Sequence, residues 1–205
     1  LIPPGRFIPV AESSGQILSI GRWVLQQACM QLAEWARHSS TANWYLAVNV
    51  SARQLHDVNF VAEVTTALQD SGARPAMLLL ELTESQLLQD IDIVISKMQQ
   101  LTELGVRFSL DDFGTGFSTF SYIKQLPASS IKIDGSFVKN MHQDTMDFVL
   151  VKAMAEIAHA LGRKSVAEFV ENEQILTLLQ QLGVDYAQGY HISKPMPIEL
   201  LEKTF

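Results

Sequence analysis

The sequence predicts a parallel α/β fold. Three observations carry this: stretches of strand length that are apolar on both faces, amphipathic stretches at helical spacing between them, and a strict alternation of the two along 205 residues. Strands buried on both faces belong to parallel sheets covered by helices, and each parallel crossover needs an intervening helix. Six strand and helix units are expected, in one globular domain over 1–205.

Ile17, Ile20, Val24, Ala28, Leu32 and Trp35 recur at helical spacing and predict a helix ending near His38. A strand follows over 44–51, then a helix carrying Phe60, Val61, Val64 and Leu68 that closes near Gly72. Residues 77–84 (MLLLELTE) read as a strand buried on both faces. Leu87, Leu88, Ile91, Val94, Ile95, Met98 and Leu101 predict the next helix, stopped at Gly105. Strand 106–112 leads through a looser stretch, GTGFSTFSYIKQLP, to strand 130–134. A helix over 147–161 stops at Gly162, and strand 164–170 follows. Asn172 is placed to cap a helix with Ile175, Leu178, Leu179 and Leu182 inward and Gly183 at its end. The last strand, DYAQGY, is short.

Composition limits the function. The chain is 47% hydrophobic and 18% charged, which excludes a disordered or low-complexity segment. Its net charge of −7 argues against binding a nucleic-acid polymer or an anionic membrane, since both need a basic patch. A single cysteine, Cys29, predicted to be an inert core residue, fits a reducing compartment, and a cytoplasmic location is expected. No apolar run approaches the roughly 20 residues of a membrane span, and no signal-peptide plan is present.

In a parallel α/β fold the loops after the strands build the site. The strand ends carry Asn49, Glu81, Asp111 with Asp112, Lys132 with Asp134, Glu168 and Gln188. Any one strand-end aspartate is most often a helix N-cap, and Lys132 alone reads as a solvated stem. Repetition at six strand ends is what the ordinary explanation leaves out. Several carboxylates converging repel one another unless cations sit among them, and oxygen donors without Cys or His point to Mg2+ or Mn2+. Asp111 and Asp112, adjacent and flanked by Leu110 and Phe113, are the most informative pair. The DFG of 112–114 lacks the other kinase motifs, the GTG of 114–116 is too short for a dinucleotide fingerprint, and the five histidines do not cluster.

LIPPGRFIPVAE, NVSARQL, ELTES, DDFGTGFSTFSYIKQLP, IKIDGSFV, AEFVEN and QGYHISKP, in this order, resemble the successive motifs of EAL domains, the bacterial cyclic di-GMP phosphodiesterases. The resemblance covers essentially the whole chain. It implies a modified (β/α)8 barrel, incomplete here at about six units, and hydrolysis of cyclic di-GMP to linear pGpG at a two-metal Mg2+ or Mn2+ site. Asn49, Glu81, Asp111, Asp112 and Asp134 are similar to the metal-site residues, Asp111 to the carboxylate shared by both metals. Lys132, Glu168 and Gln188 resemble the catalytic lysine, the candidate general base and a residue of the site's rim. Glu84 resembles the glutamate anchoring the loop after Asp112, a loop through which dimerisation or partner signals would reach the metals. Phe7, Pro9, Arg53, Glu171, Tyr190 and Lys194 are similar to substrate-binding positions.

Two departures stand out. The glutamate-alanine-leucine motif that names the family is absent, and the chain begins after its expected place, so the N-terminal part of the domain is expected to be missing and this piece to be weak or inactive. Phe169 stands where many active members have glycine. A homodimer is implied, with open strand edges at Val48 and Tyr186 inviting association, as is an upstream sensory or diguanylate cyclase domain in a parent protein that is itself anchored in the inner membrane or free. The competing function is a cyclic di-GMP receptor or protein-interaction module without hydrolysis; retained metal-site residues favour the enzyme.

Overall fold

The computed structural model describes residues 2–88, 90–116 and 120–204, with the side chains at 88, 120 and 121 outside the described set. The chain forms two compact units, Leu1–Phe108 with Gln125–Pro127 and Ser109–Lys124 with Ala128–Phe205.

The first unit opens with helix α1 (Pro4–Ser14), which the sequence reading had not placed, and α2 (Ile17–Trp35). Of the predicted stripe on α2, Ile17, Ala28, Leu32 and Trp35 are buried, while Ile20 and Val24 are half-buried and Gly21 and Leu25 are buried beside them. The short helix α3 (Ala52–His56), which follows strand β1 (Leu46–Asn49), packs against α2. Ser51 and Gln54 form a reciprocal capping box at the start of α3. Gln54 is buried against Gly21, where a Cβ atom would lie 2.0 Å from Nε2. Helix α4 (Phe60–Ser71) ends at Gly72 in the left-handed region, as its sequence predicts. Strand β2 (Leu78–Thr83) pairs in parallel with β1, setting Asn49 opposite Glu81.

Helix α5 (Ile91–Glu103) is shorter than predicted. Leu87 and Leu88 belong to a 3₁₀ turn, Glu84–Leu88, and Asp90 at φ +49° breaks the continuity. Strand β3 (Arg107–Phe113) carries the chain into the second unit. Cys29 is fully buried, and burial pushes its thiol up to about 11, which agrees with the inert core residue expected.

The second unit adds α6 (Phe120–Ile123), β4 (Ser130–Ile133), α7 (Gly135–Val138), α8 (Thr145–Ala160), β5 (Lys164–Ala167), α9 (Glu173–Gln181), β6 (Tyr186–Ala187) and α10 (Ile198–Thr204). Strands β3 to β6 pair in parallel in chain order. Asp144 caps α8 by accepting from the Met146 and Asp147 amides, and Asn172 caps α9 as predicted. Where β5 and β6 begin, the Asp185 carboxylate accepts from Lys164 Nζ (2.7 Å), the Ser165 amide (2.9 Å) and the Ser165 hydroxyl (3.0 Å), with His159 Nε2 2.9 Å away. Strand β5 ends at Ala167 rather than at residue 170, because Phe169 turns the chain out at φ +53°. Among the described residues no helix is long and apolar enough to cross a membrane.

Candidate metal and catalytic site

The adjacent aspartates acquire their geometry from a β-bulge. Leu110 pairs with Ile131 and Phe113 with Ile133, so β3 spends three residue steps where β4 spends two, and Asp111 and Asp112 together stand opposite Lys132. In a regular strand neighbours point to opposite faces. Here Asp112 sits at φ +53°, in the left-handed region, at a cost of roughly 1–2 kcal/mol. The Asp112 amide donates to Asp111 Oδ1 (3.0 Å), and Thr115 closes the turn by donating its hydroxyl to the Asp112 carbonyl (2.9 Å). Carboxylate atoms of Asp111, Asp112 and Glu168 consequently lie within 4.8 Å of one another.

Lys132 sits in their midst, 5% exposed. Its Nζ is 3.0 Å from Asp111 Oδ1 and 2.8 Å from Glu168 Oε1. Two acids sharing one buried ammonium leave the cluster net negative, and the protonation equilibria register it. Burial raises the Asp112 carboxyl above its usual range, Asp111 and Asp134 raise it further, and Lys132 opposes them. Burial likewise raises Glu168, against the Lys132 hydrogen bond and charge, with Asp111 and Asp112 adding to the rise. All-oxygen donors held close while short of positive charge fit a hard divalent cation.

The remaining expected residues of the second unit fall around this cluster or beside it. Asp134 Oδ1 accepts the Ser136 amide and caps α7, the ordinary role of a strand-end aspartate, while still acting on Asp112 through its charge. Glu168, Phe169, Glu171, Gln188, Gly189 and Tyr190 line one cavity of about 230 Å³. The lysine side chain of Lys194 lies over the Tyr190 ring, 5.8 Å from its centroid. The cavity's backbone is tightly fixed: Glu168 N–H donates to Ile133 O (3.3 Å), Val170 N–H to Gln188 O (3.0 Å), His191 N–H to Val170 O (3.0 Å) and Gln188 N–H to Ala167 O (2.8 Å). Gly189 is required by the approach of Val170, whose backbone N and O would stand 2.3 Å from any Cβ there.

In the first unit, Asn49 ends β1 and its partner Glu81 is buried within β2, not at its end. Glu84 is 1% exposed at the start of the 3₁₀ turn; the loop it was expected to anchor includes 117–119, outside the described residues. Phe7 and Pro9 lie on α1, Phe7 half-buried and Pro9 exposed. Arg53 spends its guanidinium on the C-terminal carbonyls of α1, bonding Glu12 O and reaching Ser13 O at 3.5 Å, so this structure engages it in helix capping. The family resemblance set Phe169 at the edge of the substrate pocket, whereas Gly189 and Gly135 were passed over; glycines beside a strand end were the available signal.

Fold and site together define a class: a parallel α/β domain whose strand ends hold a carboxylate and lysine cluster suited to divalent cations. Within it, the chain belongs to the EAL domain family, whose sequence pattern matches residues 1–195. It is 42% identical over 201 residues to the bifunctional diguanylate cyclase/cyclic di-GMP phosphodiesterase MucR of Pseudomonas aeruginosa, covering 98% of this chain and 29% of that protein. It is 37% identical over 205 residues to the cyclic di-GMP phosphodiesterase PdeR of Escherichia coli, covering 100% of this chain and 31% of PdeR. The chain thus spans less than a third of the length of these curated relatives. Among solved structures, the PaMucR phosphodiesterase in complex with c-di-GMP superposes with a TM-score of 0.94 at 42% identity, covering 98% of this chain and 81% of that one. The FimX EAL domain of P. aeruginosa bound to c-di-GMP gives 0.86 at 28%, covering 95% and 77%. The fold class is therefore that of the EAL domains, α/β of the (β/α)8 type, with six of its strands described here.

Proposed function

We propose that this chain is the hydrolytic domain of a cyclic di-GMP phosphodiesterase that uses Mg2+ or Mn2+ and releases linear pGpG. One observation carries the reading: a bulged Asp111-Asp112 pair facing Lys132, with Glu168 on the same ammonium, in a chain of a family with c-di-GMP-bound members. Asp111 and Asp112 are the described groups that would hold a cation, beside the candidate base Glu168. The chemistry such a cation supplies is charge neutralisation on the phosphate and activation of water.

The protein's own groups do the rest. Lys132 Nζ donates to a non-bridging phosphate oxygen or to the incoming water while keeping Asp111 and Glu168 in place. Glu168, its proton affinity raised by burial, takes the proton that the water loses as its oxygen bonds to phosphorus. The phosphorus to 3′-oxygen bond breaks, and the leaving oxygen takes a proton from solvent.

The test is turnover of c-di-GMP to pGpG by the full-length protein with Mg2+ or Mn2+, beside Glu168→Gln. A loss of about 10²–10⁴-fold in kcat in the variant is expected. Wild-type protein that binds c-di-GMP without releasing pGpG under either metal overturns the enzyme and supports a receptor.

A further inference from the structure

Asp112 holds a backbone conformation that its own side chain disfavours, and the groups that press the chain into it come from helices behind the site. Strain of this kind persists only where surrounding structure enforces it. Locally, the Thr115 hydroxyl and amide both donate to the Asp112 carbonyl, at 2.9 and 3.3 Å, and Phe113, 2% exposed, is anchored opposite Ile133. Between Phe113 and Thr115 stands Gly114 at φ +101°. There two helices close on the backbone: an added Cβ at Gly114 would meet Met154 Cε at 2.3 Å, Met154 Sδ at 3.1 Å and Phe137 Cε2 at 3.1 Å. Met154 lies on the buried face of α8 and is 7% exposed, so its terminal methyl is confined against the turn. Phe137 belongs to α7, whose first residue, Gly135, is buried beneath the Phe169 ring, with Cδ2 2.1 Å from where a Cβ would stand.

Met154 has no part in the hydrolytic chemistry, since a thioether is a weak acceptor and a soft ligand unsuited to Mg2+ or Mn2+. What it supplies is shape. We infer that Met154 is a positioning residue for Asp112: its terminal methyl seats Gly114, holds the left-handed turn, and so keeps the Asp112 carboxylate preorganised for a divalent cation. This rests on the proposed metal site and goes beyond it, because helix α8, which supplies none of the candidate ligands, becomes a determinant of cation affinity. The size of the effect follows from the strain. A turn released from Met154 relaxes to ordinary backbone, and a cation then has to restore it, which converts the strain at Asp112 into a loss of about 5–30-fold in affinity.

The experiment uses the full-length protein and Mn2+ as the probe. Binding is followed by the electron paramagnetic resonance of free Mn2+ without c-di-GMP, counting the sites that Asp112→Asn removes. Met154→Ala is expected to raise the Mn2+ Kd of those sites about 5–30-fold. The Mn2+ concentration for half-maximal hydrolysis of c-di-GMP rises by the same factor, with kcat at saturating Mn2+ within about twofold. Met154→Leu, which keeps the bulk, stays within about threefold of wild type. Val151→Ala, a deletion on the same buried face of α8, is the packing control: it lowers the Tm of the metal-free protein as Met154→Ala does and leaves Mn2+ affinity unchanged. The methyl of Gly114→Ala meets Met154, so this change is expected to weaken Mn2+ binding more in the wild type than in the Met154→Ala background. An Mn2+ Kd unchanged in Met154→Ala, or weakened equally in Val151→Ala, overturns the positioning role, while binding and hydrolysis by wild type leave the enzyme standing. Mn2+ binding that depends on Met154 without hydrolysis upholds the positioning role and overturns the enzyme. Wild type without Asp112-dependent Mn2+ binding overturns both the positioning role and the metal site.

Discussion

Replacing Lys132 with methionine isolates what the buried ammonium does. Methionine keeps most of the volume, so packing changes little and the perturbation is electrostatic. In the wild type, Nζ stands 3.0 Å from Asp111 and 2.8 Å from Glu168, with side-chain exposures of 6%, 11% and 13% for the three residues. Without it, Asp111, Asp112 and Glu168 retain carboxylate atoms within 4.8 Å of one another and no cation among them. Removing one partner of a buried pair costs about 3–5 kcal/mol. For a chain of this size each kcal/mol lowers Tm by about 2–4 °C, so a fall of about 6–20 °C is expected at pH 7. The pH dependence supplies a second check. In the variant Asp112 and Glu168, raised already in the wild type, lose the lysine that opposes the rise, so their penalty is absent at acidic pH and grows as pH rises from the unfolded values through the raised folded ones. Thermal unfolding followed by circular dichroism in a chelating buffer at pH 5 and pH 7 is therefore expected to give a deficit that is larger at pH 7. An unchanged Tm at pH 7, or a deficit that widens on acidification, refutes the reasoning.

Two further outcomes follow from the second unit. Gly189→Ala sets a methyl group against the immovable backbone of Val170 and is expected to cost about 3 kcal/mol, measurable by urea denaturation; a cost below about 0.5 kcal/mol contradicts the packing described. Burial raises the Asp185 carboxyl, but hydrogen bonds from Lys164, the Ser165 amide, His159 and the Ser165 hydroxyl outweigh it and hold the group well below the usual range. Its contribution, about 2 kcal/mol, is present above the unfolded value of about 4 and is lost as pH falls toward the lower folded one. Asp185→Asn is expected to be less stable than wild type at pH 7, with the gap narrowing below pH 4; a gap independent of pH shows that the charge contributes nothing.

Much of the architecture was legible because burial is written in local periodicity. The stretches read as strands over 77–84 and 106–112 became β2 and β3, Asn172 became a cap, and Gly72 ended a helix in the left-handed conformation. Helices α1, α3, α6, α7 and α10 escaped notice. Three of them, α3, α6 and α7, are too short to show a period, and α1 carries prolines at its start and at position 9. The overestimated strand 164–170 failed for a related reason: AEFV reads as apolar and extended, and nothing local announces that Phe169 takes a positive φ.

The sequence by itself determined which residues bear the chemistry, since a carboxylate among apolar neighbours costs energy wherever it falls and so marks itself. It also determined the family, through motifs whose order survives any fold. Tertiary structure decided how those groups face one another. The bulge that puts Asp111 and Asp112 opposite Lys132 exists only in the register between β3 and β4, and Lys132 meets Glu168 only because β5 pairs beside β4. Arg53 was drawn to the end of α1 by a carbonyl that local sequence does not specify, whereas Asp134 took the helix cap that a strand-end aspartate ordinarily takes. Phe169 became a wall of the cavity because hydrogen bonds to Ile133 and Gln188 hold the residues on either side of it. Periodicity records how buried a residue is; register and the sign of φ are set by hydrogen bonds between segments distant along the chain, and these decide where a functional group points.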